Sequence, residues 1–198
     1  MFRMTDVVKS LLIINVIVFV ITGFVNPELK TLFALHYPAS PYFKPFQLIT
    51  HFFTHGDLMH ILFNMFALVM FGSTIEAIWG AKKFLTYYLI SAGGSALLHL
   101  AMIYFGFSDP YPAVGASGAI YGLLIAFAVK FPNAELMLIF LPIPIKAKYF
   151  VPVLILIDLF VGFSGFNSPI AHFAHLGGAL AGFLTLLSWK EFNANPSR

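Results

Sequence analysis

Apolar stretches bounded by charge, proline or glycine recur along the chain at about 8–25, 58–79, 84–106, 115–131, 149–163 and 170–189. Each approaches the ~20 residues that a helix needs to cross ~30 Å of hydrocarbon, the fourth and fifth falling short. None shows the period-two alternation of barrel strands. The pattern therefore predicts an all-α polytopic membrane protein, a bundle of six transmembrane helices. Between the first two runs, residues 26–49 carry Pro27, Pro38, Pro41 and Pro45 among Tyr42, Phe43 and Phe46. This reads as a long, ordered first loop resting on the membrane surface. Arg3 and Lys9 precede the first run as in a secretory leader, but Asp6 interrupts them and no small-x-small cleavage site follows. That run is expected to stay as a span.

Composition sharpens the membrane reading. Hydrophobic residues make up 60% of the chain, charged ones 10%, and the mean hydropathy is +0.89, against about 25% charged in soluble domains. With no cysteine, neither a disulfide framework nor a thiolate metal site is available. In the six-span arrangement Arg3, Lys9, Lys82, Lys83, Lys130, Lys146, Lys148, Lys190 and Arg198 fall on one side, and Lys30 and Lys44 on the other. The positive-inside rule then makes both termini cytoplasmic. Short loops without appended domains fit one membrane domain over 1–198 in a bacterial inner (plasma) membrane.

In this topology spans two, four and six begin at the outer face, and their first turns hold the unusual polar residues. Span two opens with His51, Thr54, His55, Asp57, His60 and Asn64, span four with Ser117 in Gly115-Ala-Ser-Gly118, and span six with His172 and His175. Polar groups within a bilayer are costly, so their convergence at one depth marks a functional site. Taken alone, Gly115 to Gly122 reads as a small-residue packing face. Gly178 and Gly182 share the helix face of His175, which puts that histidine where another helix approaches closely. His172 lies about 4.5 Å nearer the surface and off that face. Ser117 with His175 therefore makes a nucleophile and base. His60 and Asn64, four apart on one face, are candidate oxyanion donors beside the Ser117 backbone N–H. His51 and His55 resemble a metal-ligand pair, but no carboxylate stands at ligand spacing and His-Glu-x-x-His is absent, so they are read as bracing the loop or retaining water. Asp57 is a candidate N-cap.

Together these segments resemble the rhomboid family of intramembrane serine proteases, over residues 42–185. Gly115-Ala-Ser117-Gly118 is similar to the family's nucleophile motif, His175 with Gly178 and Gly182 to its base-bearing helix, and His60 to Asn64 to its oxyanion segment. Tyr121 matches a tyrosine that packs against the base, and Glu76 a glutamate that ties inner helix ends together. Phe46-Gln47 stands where many members have Trp-Arg. The resemblance implies a Ser–His dyad that cleaves transmembrane protein substrates near the outer face through an acyl-enzyme, without cofactor, metal or nucleic acid. It also implies lateral substrate access past span five, with Phe163 to Ser168 as a lid, Gly162 and Gly165 as hinges and Phe163 or Phe166 as a plug. Asp158 in span five has no spacing that aims it at His175, and its role is open. Two rival functions stand beside this one: a proton-coupled transporter or channel, and an inactive rhomboid-like protein that binds client helices.

Overall fold

The chain is described by a computed structural model over residues 4–138, 141–164 and 171–193. Helix α1, Asp6–Val20, continues through a π-helical turn at Ile21–Val25. Two short helices follow, α2 at Glu28–Phe33 and α3 at Gln47–Thr50, the second running into a 3-10 turn at His51–Phe53. Helix α4, Leu58–Ala67, joins α5, Ser73–Trp79, through a π-helical turn at Leu68–Gly72, making one continuous rod. Then come α6 (Ala81–Tyr104), α7 (Ser117–Lys130), α8 (Ala147–Phe163) and α9 (His172–Ser188).

Three of these rods, 6–25, 58–79 and 81–104, are long and apolar enough to cross a membrane, while α7 and α9 are apolar and shorter. Large apolar side chains such as Ile17, Leu97, Leu156, Phe160 and Leu184 face outward, while Asn15, Ser73, Ser91, Ser95 and His99 are buried. That inversion suits hydrocarbon as the solvent, where small and polar residues make the helix contacts.

The tightest contacts join α6, α7 and α9. Tyr87 on α6 donates its hydroxyl to the Gly122 carbonyl at 2.7 Å. A Cβ at Gly182 would meet the Tyr87 hydroxyl at 2.6 Å and the Gly122 Cα at 2.9 Å, and one at Gly178 would fall on the Gly118 backbone. Missing side chains at these positions let the α7 and α9 backbones touch.

One end of the bundle is tied by charge. Lys83 at the start of α6 and Lys130 at the end of α7 both pair with the Glu191 carboxylate beyond α9, and Lys130 also donates to the Glu191 carbonyl at 2.8 Å. Burial alone would raise the Glu191 pKa, but the hydrogen bonds and charge of the two lysines hold it below the usual carboxylate value. On α5, Glu76 accepts from the backbone N–H groups of Val7 (3.0 Å) and Val8 (2.9 Å) and from the Thr5 hydroxyl, which fastens the start of α1.

Two features depart from the all-helical reading. Strands β1 (Glu135–Leu138) and β2 (Leu141–Lys146) form an antiparallel hairpin between α7 and α8, pairing Glu135 with Lys146 and Leu136 with Ile145. Pro144 keeps this segment from joining α8, because it removes a backbone donor that a helix would use. The segment between α1 and α4 is also more structured than a surface loop. Besides α2 and α3, it contains a backbone bridge from Leu35 to Ala113.

Candidate active site

The turn before α7 is held from outside its own helix. Leu35 and Ala113 exchange backbone hydrogen bonds of 2.9 and 3.0 Å, and the Gly115 N–H donates to the His51 carbonyl at 2.9 Å. Gly115 sits at φ +115°, where L side chains are strained, and a Cβ there would also meet His60 Nε2 at 2.7 Å. This turn delivers Ser117 as the first residue of α7. The first-turn amides of a helix have no intrahelical acceptor and carry its positive dipole end.

Ser117 Oγ lies 2.8 Å from His175 Nε2, across the close contact of α7 and α9. The Tyr121 ring, one turn after Ser117, stacks on the His175 imidazole at 4.4 Å between centroids and 16° between planes. On the other side of the imidazole stands Asp158 from α8, 5% exposed, with Oδ2 3.3 Å from His175 Nδ1 and Oδ1 2.5 Å from His172 Nδ1. The hydroxyl–imidazole pair expected as a dyad thus has a carboxylate behind it. Sequence reasoning left Asp158 without a partner. Its one signal was an acid in an otherwise uncharged apolar run, which shows that a residue matters but gives no direction across helices.

His60 and Asn64 converge beside Gly115, since a Cβ there would lie 3.5 Å from Asn64 Nδ2 as well as against His60 Nε2. His60 Nδ1 accepts from the Gly56 N–H at 3.4 Å, which assigns the ring proton to Nε2 and makes that nitrogen a donor toward the site. Asn64 Nδ2 is buried with no hydrogen-bond partner. An unpaired buried donor of this kind is costly unless a transient acceptor arrives. Asp57 caps α4 by accepting from the His60 N–H at 2.9 Å.

His51 Nδ1 bonds the Gln47 carbonyl at 2.5 Å, and the His55 ring sits edge-on to His60 at 5.1 Å with both nitrogens unpaired. Burial lowers the His51 pKa to about 4 and the His55 pKa to about 3, the latter with further help from His60. Both rings are therefore neutral near pH 7. Gln47, of the Phe46-Gln47 pair, is fully buried. Its amide nitrogen donates to the Leu32 and Tyr42 carbonyls, each at 2.9 Å, and its oxygen accepts from the His36 N–H at 3.3 Å. It anchors the segment through neutral hydrogen bonds. In the expected lid, Phe163 stacks edge-on to Phe173 at 5.1 Å, while Gly165, Phe166 and Ser168 lie outside the described residues.

A family model, Rhomboid domain, matches residues 42–190. The chain belongs to the rhomboid family. It is 34% identical over 182 residues to the presenilin-associated rhomboid-like protein, mitochondrial, of Bos taurus, covering 83% of this chain and 45% of that protein. It is 33% identical over 207 residues to the RHOMBOID-like protein 12, mitochondrial, of Arabidopsis thaliana, with 98% and 60% covered. It is 31% identical over 177 residues to the rhomboid-like protease 3 of Toxoplasma gondii, with 86% and 63% covered. The chain spans about half the length of the presenilin-associated relatives it matches. These names correct the expected location. The bovine and plant relatives are named mitochondrial, which points to a mitochondrial membrane rather than a bacterial inner membrane, and the cytoplasmic termini inferred for the latter go with it.

Proposed function

We propose that this rhomboid is an intramembrane serine endopeptidase with six spans that cleaves transmembrane protein substrates through an acyl-enzyme. The observation that carries this reading is the 2.8 Å approach of Ser117 Oγ to His175 Nε2 under the stacked Tyr121 ring. Ser117 opens α7 and Lys130 closes it, so the reaction takes place at the membrane boundary opposite the lysine-bearing end of the bundle.

As Oγ attacks the scissile carbonyl, its proton passes to His175 Nε2. Asp158 accepts from Nδ1–H, which keeps the ring in the tautomer with a free Nε2 and offsets the charge of the imidazolium. The tetrahedral oxyanion receives hydrogen bonds from Asn64 Nδ2, His60 Nε2–H and the Ser117 N–H, and removing a single donor of this type costs about 10²–10³ in rate. Collapse breaks the C–N bond, and the leaving amine takes the proton from His175. Water then repeats the sequence on the ester, releasing the acid and restoring Ser117. Neither a metal nor a cofactor takes part. A substrate helix must first unwind, because helical hydrogen bonds hide its peptide bonds; segments rich in glycine or proline are the favoured targets.

The test is to incubate the purified protein with a model transmembrane substrate and, separately, a fluorophosphonate, comparing it with Ser117→Ala and His175→Ala. Both variants should lose activity on the order of 10⁶-fold. Cleavage that survives Ser117→Ala refutes the mechanism. A chain that neither cleaves nor labels but holds client helices is the binding protein instead, and ion flux that persists in Ser117→Ala marks a transporter.

A further inference from the structure

The imidazole that meets Ser117 through Nε2 turns its Nδ1 toward a second set of donors. Asp158, His172 and His175 each offer one ligand atom, and the three atoms lie within 4.8 Å of one another. His172 and His175 come from the first turn of α9 and Asp158 from α8, so the set bridges two helices. The carboxylate is nearly enclosed at 7% side-chain exposure, while the two rings keep 11% and 13%, enough for an ion to arrive. A tetrahedral zinc with bonds of ~2.0–2.2 Å holds its donors about 3.4 Å apart, so shifts on the order of 1 Å close this cluster on a cation. Two imidazoles with one carboxylate and a vacant fourth position suit borderline first-row divalent ions, whereas calcium and magnesium need more oxygen ligands than this set supplies.

We propose that Asp158, His172 and His175 form a binding site for such a cation, with Zn²⁺ the best fit, and that its occupancy switches off the Ser117–His175 pair. The binding half stands on the donor geometry alone, whereas the switching half rests on the protease reading above. A neutral imidazole carries one N–H. For Nε2 to accept the Ser117 proton, that hydrogen must sit on Nδ1. A cation that takes the Nδ1 lone pair displaces this hydrogen, and the neutral ring regains one at Nε2, with no net change in protons. Nε2–H then points at Ser117 Oγ as a donor and has no lone pair with which to accept. Asp158, drawn into the metal site, no longer holds Nδ1–H. His172, which has no part in the proposed chemistry, completes the site as its third ligand.

The site is tested on chelator-stripped Ser117→Ala protein in detergent, which cannot turn over. Dialysis against buffered Zn²⁺ counts the bound ion, and Co²⁺ in a parallel sample reports the ligands through its visible bands. A single saturable ion is expected, bound at least tenfold more weakly once His172→Ala or His172→Gln is added. In the Ser117-intact protein, Zn²⁺ should suppress substrate cleavage and fluorophosphonate labelling, and EDTA should restore both. The His172 variants should need about ten times more Zn²⁺ for half-inhibition, each measured against its own metal-free rate. No saturable ion, or equal binding with and without His172, overturns the site; binding without loss of labelling overturns the switch. If the metal-free protein neither cleaves nor labels, the protease reading fails, and the dialysis still decides the site.

Discussion

Substitution of Gly178 by alanine tests whether backbone contact between α7 and α9 sets the reacting distance. The added Cβ would fall on the Gly118 carbonyl and stand 3.0 Å from the Gly118 Cα, where an ordinary contact begins at 3.4 Å. Gly118 is bonded to Ser117, and Gly178 lies one turn after His175. The two backbones have no flexible side-chain end to move aside, so α9 itself must withdraw, and the 2.8 Å hydrogen bond lengthens with it. Overpacking of this kind costs about 1–3 kcal/mol of stability, and ~1 Å of displacement between reacting groups costs about 100-fold in rate. Gly93→Ala is the matched control, since a Cβ there meets nothing within 4 Å; mid-helix alanine should give up to about 1 kcal/mol of added stability. Thermal unfolding in detergent reads the first quantity, and substrate cleavage with fluorophosphonate labelling reads the second. Wild-type rate and stability in Gly178→Ala, or an equal loss in Gly93→Ala, would refute the reasoning.

Asp158→Asn should lower kcat by about 10²–10⁴-fold with KM nearly unchanged, because the carboxylate orients the base and touches no substrate; a raised KM at wild-type kcat would assign Asp158 to substrate binding. The fold should also weaken in acid. His51 and His55 ionise near the ordinary 6.5 when unfolded but only near about 4 and about 3 when folded, so the unfolded chain binds more protons below 6.5. Their contribution is complete above 6.5 and is lost as the pH falls toward those folded values, by about 1.4 kcal/mol per pH unit for each ring. Unfolding midpoints measured at descending pH should fall in this window. The fall should be shallower in His55→Phe, which keeps a ring against His60 without the unpaired nitrogens, and an equally steep fall in that variant would remove His55 from the account.

Segments 58–79 and 117–130 were legible to within a residue or two because charge, proline and glycine punctuate apolar runs of uniform character. The Ser117–His175 encounter was legible for a related reason: Gly178 and Gly182 on the His175 face announce a close neighbour. Asp158 was illegible because its meaning depends on how α8 rotates against α9, and spacing along one helix carries no information about a second. Gln47 was hidden by its chemistry. A neutral amide among aromatics has no patterning signal, although it serves three backbone groups at once. The β1–β2 hairpin escaped because its prolines were read only as the boundaries of helices. Location failed for a different reason, since short loops are a property of the bundle itself and do not name the membrane that holds it.

The bridge from Leu35 to Ala113 and the bond from Gly115 to His51 mean that the nucleophile inherits its position from chain more than sixty residues upstream. Heritable variation in that upstream stretch acts on turnover without altering a single reactive atom. In any exchange of parts between relatives, the region from Leu35 to His51 and the turn from Ala113 to Ser117 travel as one module, and a hybrid that divides them inherits a serine aimed by the wrong parent.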